Sequence, residues 1–218
     1  MAVAPLNKFI TVAVPVAPGE QTVYTAPTGK SSIVLYASVS NVGINTYPTI
    51  TFTHRRESTA SSTSGNTRNI RVLKNTEIPP NDALVIIDGR LVLERTALIK
   101  DSVVIEGFQD GVINISNVVY DNSTGLTTVT TSTNHGFSPS DEITMSNIKF
   151  TCGGYSGAAT TTIFPSPQKS FVVDTVNSST EFETNVGIVN SIPHTYVSGG
   201  QVAPLQMEFI MSILENTL

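Results

Sequence analysis

The stretch Leu205-Gln206-Met207-Glu208-Phe209-Ile210-Met211-Ser212-Ile213-Leu214, near the end of the chain, decides how the rest is read. Met207, Phe209, Met211 and Ile213 alternate with Gln206, Glu208 and Ser212, the period-2 pattern of a strand with one buried and one wetter face. A single strand needs partners. The chain just before it is rich in Thr, Ser and Gly, whereas residues 1–110 share its apolar alternation, so it is expected to return to an N-terminal sheet. That reading makes residues 1–110 plus 204–218 one domain and residues 111–203 an insertion.

Composition agrees with strands. Charged residues make up 13% of the 218, about half the share usual in globular proteins, while Thr, Ser, Asn and Val dominate. The expectation is an all-β chain, with a β-sandwich or jelly-roll-like domain and a small inserted β-barrel or β-sheet module. No apolar run is long enough for a membrane helix, and Met1 to Phe9 lacks the charged-then-apolar order of a signal peptide. A soluble protein made in the cytoplasm is predicted. The lone cysteine, Cys152, excludes an internal disulfide framework. The net charge of −5 is uneven: residues 1–110 hold ten Lys/Arg against nine Asp/Glu, and residues 111–203 hold two against six. This is not a nucleic-acid footprint. Arg55, Arg56, Arg68, Arg71 and Lys74 flank the Glu57 to Thr67 tip, either as solvated hairpin ends or as a local basic patch.

Taken in order, Phe9 to Val16 reads as an edge strand stopped by prolines, and Gln21 to Thr25 as a short strand. Ser32 to Asn41 is the strongest strand, with Ile33, Leu35, Ala37 and Val39 expected on one face. Thr49 to His54 should bury Ile50 and Phe52, and Arg68 to Leu73 should bury Ile70 and Val72. Ile78-Pro79-Pro80-Asn81-Asp82 reads as a rigid turn, and Asp88-Gly89-Arg90 as a hairpin turn between two apolar runs. Ser102 to Phe108 closes the first region. In the insertion, Val112 to Tyr120, Thr127 to Thr133, Glu142 to Asn147, Ser170 to Val176 and Thr180 to Val186 read as strands. Thr151 to Pro167, with Tyr155, Ile163 and Phe164, is the best candidate for an irregular functional loop.

Chemistry finds little support. His135, His194, Cys152 and Asp141 include zinc-binding types, but no pair has the short spacing that pre-forms half a site, so the histidines are expected to bond backbone in turns and no metal site is predicted. Asp121-Asn122-Ser123-Thr124-Gly125 is a turn before it is a calcium loop. No serine lies in Gly-x-Ser-x-Gly, and Cys152 lacks an activating signature. Glu181 and Glu183 share a strand face roughly 7 Å apart by strand rise, a spacing compatible with an inverting glycosidase. No aromatic sugar platform accompanies them. No catalytic, cofactor-binding or metal-binding residue is assigned, and the chain is read as a non-enzyme.

Two motif sets carry a resemblance. Thr22-Val23-Tyr24-Thr25-Ala26-Pro27-Thr28-Gly29-Lys30, the strand Ser31 to Asn41, Ile78-Pro79-Pro80 and Leu91-Val92-Leu93 resemble a small β-sandwich module of tailed-bacteriophage virion structural proteins. Asn134-His135-Gly136-Phe137-Ser138 with Asp141, Phe164-Pro165, Phe182, Asn185-Val186-Gly187 and His194 to Gly200 are similar to a module of marine, notably cyanobacterial, phage virion proteins. The resemblance implies a structural component of the virion (neck, tail, baseplate or capsid exterior), synthesised in the host cytoplasm and acting by protein–protein assembly. Its partners would be other virion proteins and further copies of itself in a homo-oligomer. Tyr155 and Phe164 are the interface candidates, and few lysines guard the sheet edges. The alternatives are a module binding host-surface glycan or receptor, and a glycan depolymerase.

Overall fold

A computed structural model describes residues 7–58, 66–153, 160–188 and 194–217. The fold is all-β, with no helix among the described residues. The strands are β1 (Asn7–Pro15), β2 (Gly19–Thr25), β3 (Lys30–Asn41), β4 (Thr49–Ser58), β5 (Thr67–Glu77), β6 (Ala83–Glu94), β7 (Ile99–Phe108), β8 (Ile113–Tyr120), β9 (Leu126–Thr131), β10 (Glu142–Ser146), β11 (Lys149–Cys152), β12 (Thr160–Ile163), β13 (Ser170–Ser178), β14 (Glu181–Asn185), β15 (His194–Ser198), β16 (Gln201–Pro204) and β17 (Met207–Thr217). The described residues form two compact units, one running through Val16, Glu20–Phe108 and from Gln206 onward, the other comprising Ala17–Gly19 and Gln109–Leu205.

The first unit is a sandwich of two four-stranded sheets, ordered β1-β17-β3-β6 and β2-β7-β4-β5. β17 lies inside its sheet, antiparallel to β1 on one side and to β3 on the other. Met207, Phe209, Met211 and Ile213 are all buried in the core with Val34, Val39, Ile50, Phe52, Leu93, Val103 and Ile105. The ring of Phe209 meets that of Phe52 across the layers, centroids 6.1 Å apart.

Three sequence expectations fail here, each at a bulge. In β3, Tyr36 opposes Ser212 while Val34 opposes Ile213, so Leu35 is an extra residue and the alternation changes phase across it. Val34, Ala37 and Val39 are therefore fully buried, and Ile33 and Leu35 are not. In β5, Leu73 opposes Phe52 and Arg71 opposes Thr53, which leaves Val72 unpaired. Leu73 packs on the core, while Ile70 and Val72 are exposed. Asp88-Gly89-Arg90 makes no hairpin. Gly89 lacks the positive φ that such a turn needs, and β6 runs through it as one strand against β3, the irregularity facing the Leu35 bulge. The Pro79-Pro80 turn does form, with Asn81 at φ 59° and Asp82 N–H donating to the Pro79 carbonyl at 3.2 Å.

The second unit is a closed barrel, β10-β13-β14-β9-β8-β16, beside a three-stranded sheet, β12-β11-β15. Val118, Val129, Ile143, Met145, Phe171, Val173, Phe182 and Val202 fill its core. The five strands read from the sequence are all barrel strands; β16 and the small sheet carry no comparable signal. β11 and β12 fall largely inside the expected irregular loop and pair from Lys149↔Ile163 to Cys152↔Thr160. The run Thr160-Thr161-Thr162-Ile163 is exposed throughout and so has no apolar alternation to reveal it. Gly125 closes the β8–β9 turn at φ +78°, where an added Cβ would lie 2.6 Å from the backbone of Gly187.

Because each unit has its own apolar cluster, joining Phe108 to Gln206 through a short Gly/Ser linker is expected to leave a folded sandwich. Amide spectra of the shortened chain check this: loss of dispersion would mean the sandwich depends on the barrel.

Candidate assembly edges

Among the described residues four strands end the sandwich sheets: β1 and β6 in one, β2 and β5 in the other. An end strand presents a row of backbone N–H and C=O groups without ladder partners, and proteins blunt such rows with charge, proline, bulges or shortness. β5 has Arg68, Arg71 and Lys74 and two register breaks. β6 has Asp88, Arg90 and Glu94 and breaks of its own. β2 spans seven residues and carries Glu20. β1 differs. It pairs with β17 over nine residues without a break, has Lys8 as its single charge, and reaches proline only at its last position.

The outer face of the same sheet is poor in charge. Phe9, Leu214, Ile33 and Val92 stand opposite one another in one row across all four strands. The adjacent residues Ile213, Val34 and Leu93 point the other way and are fully buried. Phe9 is 74% exposed. The next rows are Thr11, Ser212, Tyr36 and Asp88, then Ala13, Ile210, Ser38 and Val85. A hollow of about 340 Å³ lies at the end of this face, lined by Ala13, Pro15, Ser40, Glu208 and Ile210 among others.

Two of the five basic residues noted in the sequence, Arg55 and Arg56, are engaged within the sandwich, and so is Lys100. Arg55 Nη2 donates to Glu20 Oε2 at 2.6 Å, and Lys100 Nζ to Glu57 Oε2 at 2.9 Å. Arg56 grips Asp101 with two parallel bonds, Nε to Oδ1 and Nη2 to Oδ2, both 2.7 Å. Asp101 is fully buried; it also accepts the Glu94 N–H at 3.0 Å, and His54 Nε2 stands 3.3 Å away. Burial pushes the Asp101 carboxyl up, but the Arg56 bonds, the Glu94 N–H and the nearness of His54 and of the Arg56 charge outweigh it and hold the group below its ordinary value. Nothing in the sequence announces this node, since its partners are spread over β4, β6 and β7.

The structure places the other candidates as follows. Tyr155 and most of the Glu57 to Thr67 tip, residues 59–65, lie outside the described residues. Phe164 is only 8% exposed and packs edge-on against Tyr120 and Phe150, at 5.0 and 5.6 Å between centroids. Its ring belongs to the barrel core, so a charge there would damage the fold, contrary to the expectation of a surface contact. His135 sits in its turn as expected: Nδ1 accepts the buried Phe137 N–H at 2.9 Å, and Nε2 lies 3.1 Å from the Ser178 carbonyl. His194 instead begins β15 and contacts the rings of Tyr120 and Phe164. Among the described residues no three His, Cys, Asp or Glu side chains gather into a metal-binding group. Asp121 spends its oxygens on the turn, accepting from Ser123 N–H, Ser123 Oγ and Thr124 Oγ1, which hold its carboxyl below the usual range. Glu181 and Glu183 both accept from Asn177 Nδ2, at 3.2 and 3.3 Å.

Replacing His135 by Ala would strand the Phe137 N–H and is expected to cost about 1–3 kcal/mol. Denaturant unfolding measures it; an unchanged midpoint would mean that water replaces the ring.

Comparison of the chain with protein families, curated proteins and solved structures gave no match.

Proposed function

We propose that this protein is a structural component of a tailed-bacteriophage virion, acting through protein–protein assembly with other virion proteins and with copies of itself. The observation that carries the reading is the sandwich's unguarded edge: β1 runs nine residues without a break, bordering a sheet face with few charges. Such an edge is a hazard in a free monomer and an asset in a particle where it is covered. The motif resemblance supplies the particle. Gold-labelled antibody on intact virions tests the reading, with label at one fixed location expected; absence of the protein from purified particles would reject it.

A second reading has one observation in its favour. The barrel unit carries an open cleft of about 520 Å³ lined by Asn114, Ile115, Asn147, Lys149, Gly199, Gly200 and Gln201. Carboxamides and an ammonium group beside glycine backbone suit the hydroxyls of a host-surface glycan. Glycan-array binding that is lost in Asn147→Ala and Gln201→Ala would support it, and uniform silence on the array would remove it.

A further inference from the structure

We infer that β1 is the self-association surface, pairing antiparallel with β1 of a second copy about a two-fold axis through Thr11. The inference deepens the assembly reading, and rests on it only for the premise that copies meet. It begins with which backbone groups are free. Val16 N–H donates to the Met207 carbonyl at 2.9 Å, and Pro15 opposes Glu208 in the unbroken register that precedes it. Hydrogen-bonded and non-bonded pairs alternate along an antiparallel ladder, so Val14, Val12, Ile10 and Lys8 turn their N–H and C=O groups toward β17. Asn7, Phe9, Thr11 and Ala13 turn theirs outward. β1 ends the sheet order, so this outward row has no neighbouring strand among the described residues.

The row is self-complementary. With Thr11 opposite Thr11 of the second copy, Phe9 falls opposite Ala13 and Ala13 opposite Phe9, and every one of these residues offers both its donor and its acceptor. Pro15, lacking an N–H, ends the ladder beyond them. Side chains fit the same register. Directly opposed residues share a face, so the exposed ring of Phe9 meets the smallest side chain on β1, Ala13, on the outer face. Ala13 is also where the hollow opens, with Ile210 one strand further in. Each ring therefore has a recess to enter, twice by symmetry. On the inner face Ile10 meets Val12 of the second copy, and both already pack at the margin of the core. The two four-stranded sheets become one of eight strands. The remaining edges do not compete, because β5 and β6 are charged and irregular and β2 is short.

Sedimentation of the purified full chain over a range of concentrations tests this. The expected result is a reversible monomer–dimer equilibrium, weakened about tenfold or more by Phe9→Ala, whose ring is exposed and whose loss leaves the core intact. Thr11→Pro should abolish the dimer while keeping the fold, because the N–H it removes points away from β17. A third variant fixes the register: Thr11→Cys in a Cys152→Ser background should crosslink to itself under mild oxidation. A wild-type chain that stays monomeric, or a dimer indifferent to Phe9→Ala, overturns the inference. Particle incorporation is scored separately. A monomer that still enters virions rejects β1 pairing and spares the assembly reading, whereas a β1 dimer absent from virions does the reverse.

Discussion

A chain ended at Leu205 is expected to be unfolded or aggregated, since it lacks the strand that β1 and β3 both pair with. β17 opposes nine residues of β1 and eleven of β3. Its removal would leave β1 with no partner in the sheet and β3 with one free side. It also takes Met207, Phe209, Met211 and Ile213 out of the core. The single substitution Phe209→Ala isolates the packing part of this loss. Phe209 is 1% exposed and its ring faces Phe52, so the cavity should cost about 3–5 kcal/mol. Urea unfolding of both proteins checks the pair, and a soluble truncated chain with an unchanged melting curve would show that β17 is peripheral.

The second large effect is expected at Arg56. Arg56→Met keeps the apolar stem but removes the fork that holds the fully buried Asp101, leaving a charge with only the Glu94 N–H and His54 beside it. Breaking a buried pair from one side costs about 3–5 kcal/mol. Because the Arg56 side chain is itself 39% exposed, the lower end of that range is expected. The pH dependence has a definite sign. The Asp101 carboxyl titrates below its unfolded value, so its contribution is complete above roughly pH 4 and disappears as pH falls through the folded value. In the variant, burial acts with less opposition and favours the protonated acid. The stability gap between the two proteins should therefore be widest near neutrality and shrink in acid. A gap that stays constant down to pH values of about 2, below the ordinary carboxylate range, would mean that the Asp101 charge is not what Arg56 compensates.

The barrel shows where sequence reading succeeds. Burial alternates along several of its five anticipated strands, as in Glu181–Asn185, where Phe182 and Thr184 are buried while Glu181 and Glu183 are half-buried and Asn185 is exposed. Thr160–Ile163 has no such alternation, because the strand lies on an open sheet and buries neither face. Phe164 illustrates the corresponding error in the candidate site. An aromatic residue in a Gly- and Thr-rich stretch reads as a surface contact, but its exposure depends on Tyr120 and Phe150, and only the fold brings those rings to it.

Among the features readable from the residues alone are the all-β class, the strand over residues 207–213 with its four inward side chains, the five anticipated barrel strands and the proline that ends β1. They follow from alternation and from backbone restrictions, both local properties. Strand pairing set the others. The bulge at Leu35 reverses the phase of β3 on its N-terminal side, the facing irregularity in β6 straightens an apparent Asp-Gly hairpin, and the node around Asp101 gathers groups from three strands. Each depends on which strand lies opposite. A period-2 pattern fixes relative phase along a strand, and one extra residue accommodated by the pairing is enough to reverse it.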